Sequence, residues 1–173
     1  RLSEDALADL RTTLEEALVE DPPGTVTEGG MFRRGYDDDL DALIDDHETA
    51  LEWVENLAER ERERHGITHL QVDRNRTDGY YVQVGRSETD GVPDSYREIK
   101  TLKNSKRYTT EALQEREREI LRLEEKRGEL ERRLFEELRE RVGERADALQ
   151  RAGRALAELD TLASFATHAV ENG

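Results

Sequence analysis

Three lysines recur at intervals of three, Lys100, Lys103 and Lys106, with Asn104 among them and Arg107 directly behind. Ammonium and guanidinium groups, a short amide and the N–H groups of a turn can all donate to phosphate oxygens. The stretch 97–107 holds five basic residues (Arg97, Lys100, Lys103, Lys106, Arg107) against one acid, Glu98. Extended backbone alternates faces, so positions 100 and 103 share a direction only if a turn intervenes near Asn104. Asn75 and Arg76, in an earlier turn-rich stretch, can join from the side. The chemistry on offer is sequence-independent binding to a polyanion, and nucleic acid is the first candidate. The competing reading is a solvated β surface whose lysines discourage edge-to-edge pairing.

The surroundings sharpen the contrast. The chain carries a formal charge of -15, yet residues 66–110 hold eight basic against six acidic residues. The excess acid therefore lies wholly outside that segment. A basic island kept on an acidic protein is a footprint for an anionic partner. Four lysines stand against 23 arginines and 42 carboxylates. That balance suits a protein hydrated in strong salt, where screening removes the repulsion among carboxylates. Three of the four lysines sit in the island.

Other chemistries find little footing. Cysteine is absent, which removes disulfides and thiolate metal sites. His65 and His69 are spaced i,i+4, but Gly66 and Thr68 put a helix end between them, so a metal site is not expected there. The many paired carboxylates read as solvated helix faces. Neither a phosphate-binding Gly-x-x-x-x-Gly-Lys-Ser/Thr loop nor a Gly-x-Ser-x-Gly elbow occurs, so catalysis is not expected of this chain. No apolar run reaches the roughly 18 residues of a membrane span, and a cytoplasmic location is expected. The start at Arg1, with Met31 the single methionine, reads as an internal piece of a longer protein.

The elements that must position the island follow from periodicity. Residues 3–19 read as the end of a helix with Leu7, Leu10, Leu14 and Leu18 on one stripe. Residues 24–36 are a glycine-rich connector. A helix is predicted over 37–65, with Asp37, Asp38 and Asp39 at its positive end and Gly66 closing it. The period then changes to two. Leu70 and Val72, then Tyr80, Val82 and Val84, predict a hairpin around residues 75–79. Residues 97–103 give a third strand and 106–109 a short fourth. Thr110 caps a long helix, Gly143 marks a break, and the alanine-rich run 144–170 predicts a last helix packed closely on others. The expected fold is mainly α with a small β subdomain. Two long antiparallel helices carry an antiparallel sheet at their tip.

Four segments, in order, resemble the MutS family of DNA mismatch-repair proteins. They are Gly29-Gly30-Met31-Phe32-Arg33-Arg34-Gly35-Tyr36 with Leu40-Asp41, then Gly79-Tyr80-Tyr81-Val82-Gln83-Val84, then Thr101-Leu102-Lys103-Asn104-Ser105-Lys106-Arg107-Tyr108, then Ala155-Leu156-Ala157-Glu158-Leu159-Asp160-Thr161-Leu162-Ala163-Ser164. The resemblance covers roughly residues 20–168. It implies a lever-and-clamp region. Residues 1–36 would be a remnant of the core/lever domain and connector, 37–65 a lever helix, 66–110 the β clamp, and 111–173 the returning lever helices. It also implies a clamp that holds duplex DNA by its backbone, within a parent that pairs with a second MutS subunit and uses ATP and Mg. Lys106 stands where the family often has Glu, and Glu111 where it often has Pro.

The residues expected on DNA phosphates are Lys100, Lys103, Asn104, Lys106 and Arg76, followed by Asn75 and Arg107. Two alternatives stay open from the sequence. One is a helical-hairpin module that binds protein alone. The other is the clamp of a MutS homologue that encircles recombination junctions.

Overall fold

The computed structural model describes residues 2–172. In chain order the elements are helices α1 (Leu2–Ala17), α2 (Asp38–Glu55) and α3 (Leu57–His65). Strands β1 (Leu70–Asn75), β2 (Gly79–Gly85), β3 (Arg97–Thr101) and β4 (Ser105–Thr109) follow, then helices α4 (Glu111–Gly143) and α5 (Ala146–Asn172). They form two compact units, Asp37–Arg127 and Arg1–Tyr36 with Gly128–Gly173.

In the unit Asp37–Arg127, the Asp37 carboxylate caps α2 by accepting the Leu40 N–H at 2.9 Å. Asp38, Asp39 and Asp41 fill the first turn, where the helix dipole favours negative charge. The single helix expected over 37–65 is interrupted at Asn56, which separates α2 from α3. Asn56 keeps helical angles (φ -80°, ψ -7°), so the interruption is local. Gly66 closes α3 in the left-handed region at φ 67° and donates to the Arg62 carbonyl. At the other end of the sheet, the Thr110 hydroxyl caps α4 through the Leu113 N–H at 3.1 Å.

The helices run antiparallel. His47 meets Glu124 at 3.5 Å, while six residues later the Trp53 ring lies 5.1 Å from Arg116. The sheet is wholly antiparallel, in the order β1-β2-β4-β3. Paired residues share a face, and the register puts Leu70 opposite Val84, Val72 opposite Val82, and Val82 opposite Tyr108. That face packs on Ala50 and Val54 of α2, Leu57 of α3, and Leu113, Ile120 and Leu123 of α4. The sheet is thus bolted to α2, α3 and α4 through one apolar layer.

In the second unit, the connector folds back on α1. Val19 donates to the Met31 carbonyl at 3.1 Å, and Arg33 to the Ala17 carbonyl at 2.9 Å. Both carboxylate oxygens of Glu131 on α4 accept backbone N–H groups, from Gly30 at 3.0 Å and Met31 at 3.4 Å. The close packing expected along α5 is not made. Leu156, Leu159, Leu162 and Phe165 are 61–70% exposed. Its neighbour α1 has 16 residues against 27 in α5, too few to cover its length.

Candidate nucleic-acid interface

The turn that the lysine spacing requires is present. β3 and β4 are joined by Lys103 and Asn104, both exposed, and the Leu102 N–H closes the hairpin on the Ser105 carbonyl at 2.8 Å. Arg86 takes hold of the tip from behind. Its N–H donates to the Asn104 carbonyl at 3.0 Å and its Nη1 to the Lys103 carbonyl at 3.0 Å. In a trans peptide the N–H points opposite the carbonyl. The N–H groups of Asn104 and Ser105 therefore turn away from Arg86. Arg86 escaped the sequence reading because a lone arginine in a turn-rich stretch carries no periodic signal.

The remaining basic residues divide between the two faces. Lys100 pairs with Arg107, and Arg107 with Gln83, on the face away from the helices. Lys106 lies opposite Val84, on the helix-facing side, and its Nζ sits 2.8 Å from Glu98. Arg107 is heavily engaged. Its Nη1 meets Asp78 at 2.8 Å, its Nε donates to Gln83 at 3.2 Å, and its guanidinium lies 4.1 Å above the Tyr81 ring. That stacking explains why Tyr81 is buried on a face that packs against no helix.

Asn75 builds the first hairpin turn. Its Oδ1 accepts the N–H groups of Thr77 at 2.9 Å and Asp78 at 2.7 Å, and its Nδ2 donates to Asp78 at 3.0 Å. Arg76 is exposed at the same turn. The turn precedes Gly79 and the tip lies beside Gly85 and Arg86, so the length of β2 separates them, roughly 20 Å at about 3.4 Å per residue. The seven nominated residues thus occupy two ends of the sheet and a strip between, not one cluster. Gly79, at φ 68°, allows the Glu117 carboxylate of α4 to lie against this turn and accept the Tyr80 N–H at 3.1 Å.

Three carboxylates, two in the turns beside the sheet and one in β3, are held below the usual carboxylate range. Asp78 is lowered by the Asn75 amide first and then by Arg107. Glu88 is lowered by the N–H groups of Thr68 and His69. Glu98 is lowered by the Lys106 ammonium and the Thr101 hydroxyl. Such a group supports the fold fully above the unfolded-chain value, about 4, and that support is lost as pH falls through the lowered value. The melting temperature is expected to be level from about pH 5 toward neutrality and to drop steeply below about pH 4. A melting temperature indifferent to pH between 6 and 2.5 would contradict these pairings. On the helix-facing side Tyr96 donates to Glu61, which also meets His65 Nε2 at 3.2 Å. Burial, followed by Glu61, pushes the Tyr96 hydroxyl well above its ordinary value.

Among the described residues no group of His, Asp and Glu is arranged to hold a metal ion, and no helix is long and apolar enough to cross a membrane.

Residues 35–126 match MutS family domain IV. The chain is 61% identical over 184 residues to DNA mismatch repair protein MutS 1 of Haloarcula marismortui, an alignment covering 99% of this chain and 20% of that protein. It is 57% identical over 176 residues to MutS 1 of Halobacterium salinarum, covering 99% and 20%. It is 48% identical over 167 residues to MutS of Thermus aquaticus, covering 96% and 21%. The first two are halophilic archaea, the setting to which the acidic, lysine-poor composition pointed. The chain spans about a fifth of the length of these curated relatives.

Proposed function

This chain belongs to the MutS family, by its domain IV, and from that premise we propose that its β sheet grips duplex DNA by the sugar–phosphate backbone. Lys103 and Asn104 lead the contacts, with Lys100 on the outer face and Arg76 at the far turn. Lys106 and Asn75 add what donors their carboxylate pairings leave, and Arg107 holds the sheet that presents them. The observation that carries this reading is the exposed Lys103–Asn104 tip, whose two carbonyls are held from behind by Arg86. A span of roughly 20 Å from tip to far turn matches about six nucleotides of one strand along the helix axis.

In this reading residues 66–110 act as the clamp. Residues 37–65 and 111–173 act as levers, and residues 1–36 belong to the core/lever domain and connector. The longer protein would repair mismatches, pair with a second MutS subunit and hydrolyse ATP with Mg outside this segment, in the cytoplasm. The names of the relatives support the repair role.

Salt dependence tests the grip. Each phosphate neutralised contributes a slope of about -0.9 to log affinity against log salt. Lys103→Ala is expected to weaken binding equally on duplexes of unrelated sequence and to make the slope shallower by about 0.9. Fluorescence anisotropy over a salt series reads both quantities. Loss confined to one sequence, or an unchanged slope and affinity, contradicts the proposal.

A further inference from the structure

His69 lies at the start of the sheet, just before β1, with its side chain 75% exposed. Glu88, on the helical turn Arg86–Gly91, accepts the Thr68 N–H at 2.8 Å and the His69 N–H at 2.8 Å, and meets His69 Nδ1 at 2.8 Å. Gly85 makes room for this residue, since a Cβ there would come within 3.2 Å of the His69 Cβ. His69 also lines a concavity of about 350 Å³ with Gln71, Gln83, Asn104 and Ser105. The ring therefore shares one polar hollow with the tip, and its backing is built.

The Glu88 contact has a chemical consequence. A carboxylate on Nδ1 requires the proton there, so in the neutral ring Nε2 is an acceptor. Nε2 can donate to a phosphate oxygen only when the ring is protonated. Glu88 is the charged group that meets the ring, and Arg62 on α3 lines the same hollow. β2 brings Gln83 and Gly85, and the tip and β4 bring Asn104 and Ser105, all uncharged.

We propose that His69 is an additional, proton-linked contact to a DNA phosphate beside the Lys103–Asn104 tip. The proposal rests on the backbone-grip reading above and adds that binding there draws a proton onto Nε2. The basic-residue spacing gave no hint of it. His69 and its partner Glu88 lie 19 positions apart in the chain.

Duplex affinity measured from pH 6 to 8 at fixed salt tests it. The wild-type protein is expected to bind about three- to tenfold more weakly at pH 8 than at pH 6, within the limit of tenfold per pH unit for one linked proton. His69→Gln keeps a neutral donor and does not titrate. It is expected to flatten the pH profile, with most of its loss at pH 6. The ring is exposed, so the variant is expected to fold, and a melting curve checks this. A His69→Gln profile as steep as wild type, or a flat wild-type profile, overturns the proposal. Lys103→Ala at pH 6 separates the two readings, because it reports on the tip whatever His69 does.

Discussion

Replacing Glu131 by Ala is expected to destabilise the unit Arg1–Tyr36 with Gly128–Gly173 by about 2–4 kcal/mol, the range for removing a charged acceptor from buried donors. Glu131 is wholly buried, and its two oxygens receive Gly30 and Met31. Gly29 and Gly30 bring those N–H groups round by adopting φ values of 71° and 79°, open to glycine at little strain. An alanine removes the acceptor of both N–H groups from a wholly buried position. Glu131→Gln retains one acceptor oxygen and is expected to lose roughly half as much. Urea unfolding gives the total, and amide exchange gives the location. Protection at Gly30 and Met31 should collapse in the alanine variant before that of the sheet. A loss under about 0.5 kcal/mol, or unchanged exchange at those two amides, would show that the carboxylate does not organise the connector.

Glu131 also marks where sequence reasoning stops. It is one glutamate in a helix crowded with them, and its partners lie 100 residues away. Composition calls such a residue solvated, and only the fold reveals that it is buried. The periodic elements were legible because burial of one face imposes a period directly. Leu70, Val72, Val82 and Val84 line one side of the sheet as alternation requires. Leu113, Ile120 and Leu123 line α4 at helical spacing. Asn56 was not legible as a break, because its neighbours Val54 and Leu57 both keep the apolar stripe and are both buried. The α5 stripe was legible as apolar but not as exposed, since a pattern shows which face seeks a partner and not whether one is reached. In the candidate site, the lysine spacing located the hairpin tip. It could not say which of the adjacent Lys106 and Arg107 faces the helices, which needed the β2–β4 register. Arg86, Glu88 and His69 act through backbone groups and one another, and such pairings leave no spacing to read.

Arg107 is where fold and site compete for one side chain, and Arg107→Ala is expected to show the fold winning. The guanidinium covers the otherwise buried Tyr81 ring at 4.1 Å, a contact worth about 1–2 kcal/mol when desolvated. It also ties the Asp78 turn to β4 and reaches Gln83 on β2. Removal exposes Tyr81 and leaves Asp78 with the Asn75 amide as its remaining side-chain hydrogen-bond partner. A unit of this size with about 2 kcal/mol less stability melts roughly 8–16 °C lower. Arg107→Lys keeps the charge but not the planar stack, so it should recover less than half of that loss. DNA binding should respond differently. If Arg107 acts mainly as a staple, the alanine variant weakens binding while the slope of log affinity against log salt stays within about 0.3 of wild type. Lys103→Ala, by contrast, shifts the slope by about 0.9. An Arg107→Ala variant that melts like wild type yet loses a full phosphate's worth of slope would reverse the assignment, making the guanidinium a DNA contact and the Asp78 pairing incidental. The two measurements together separate the residue that touches the phosphate from the one that holds the sheet in place for it.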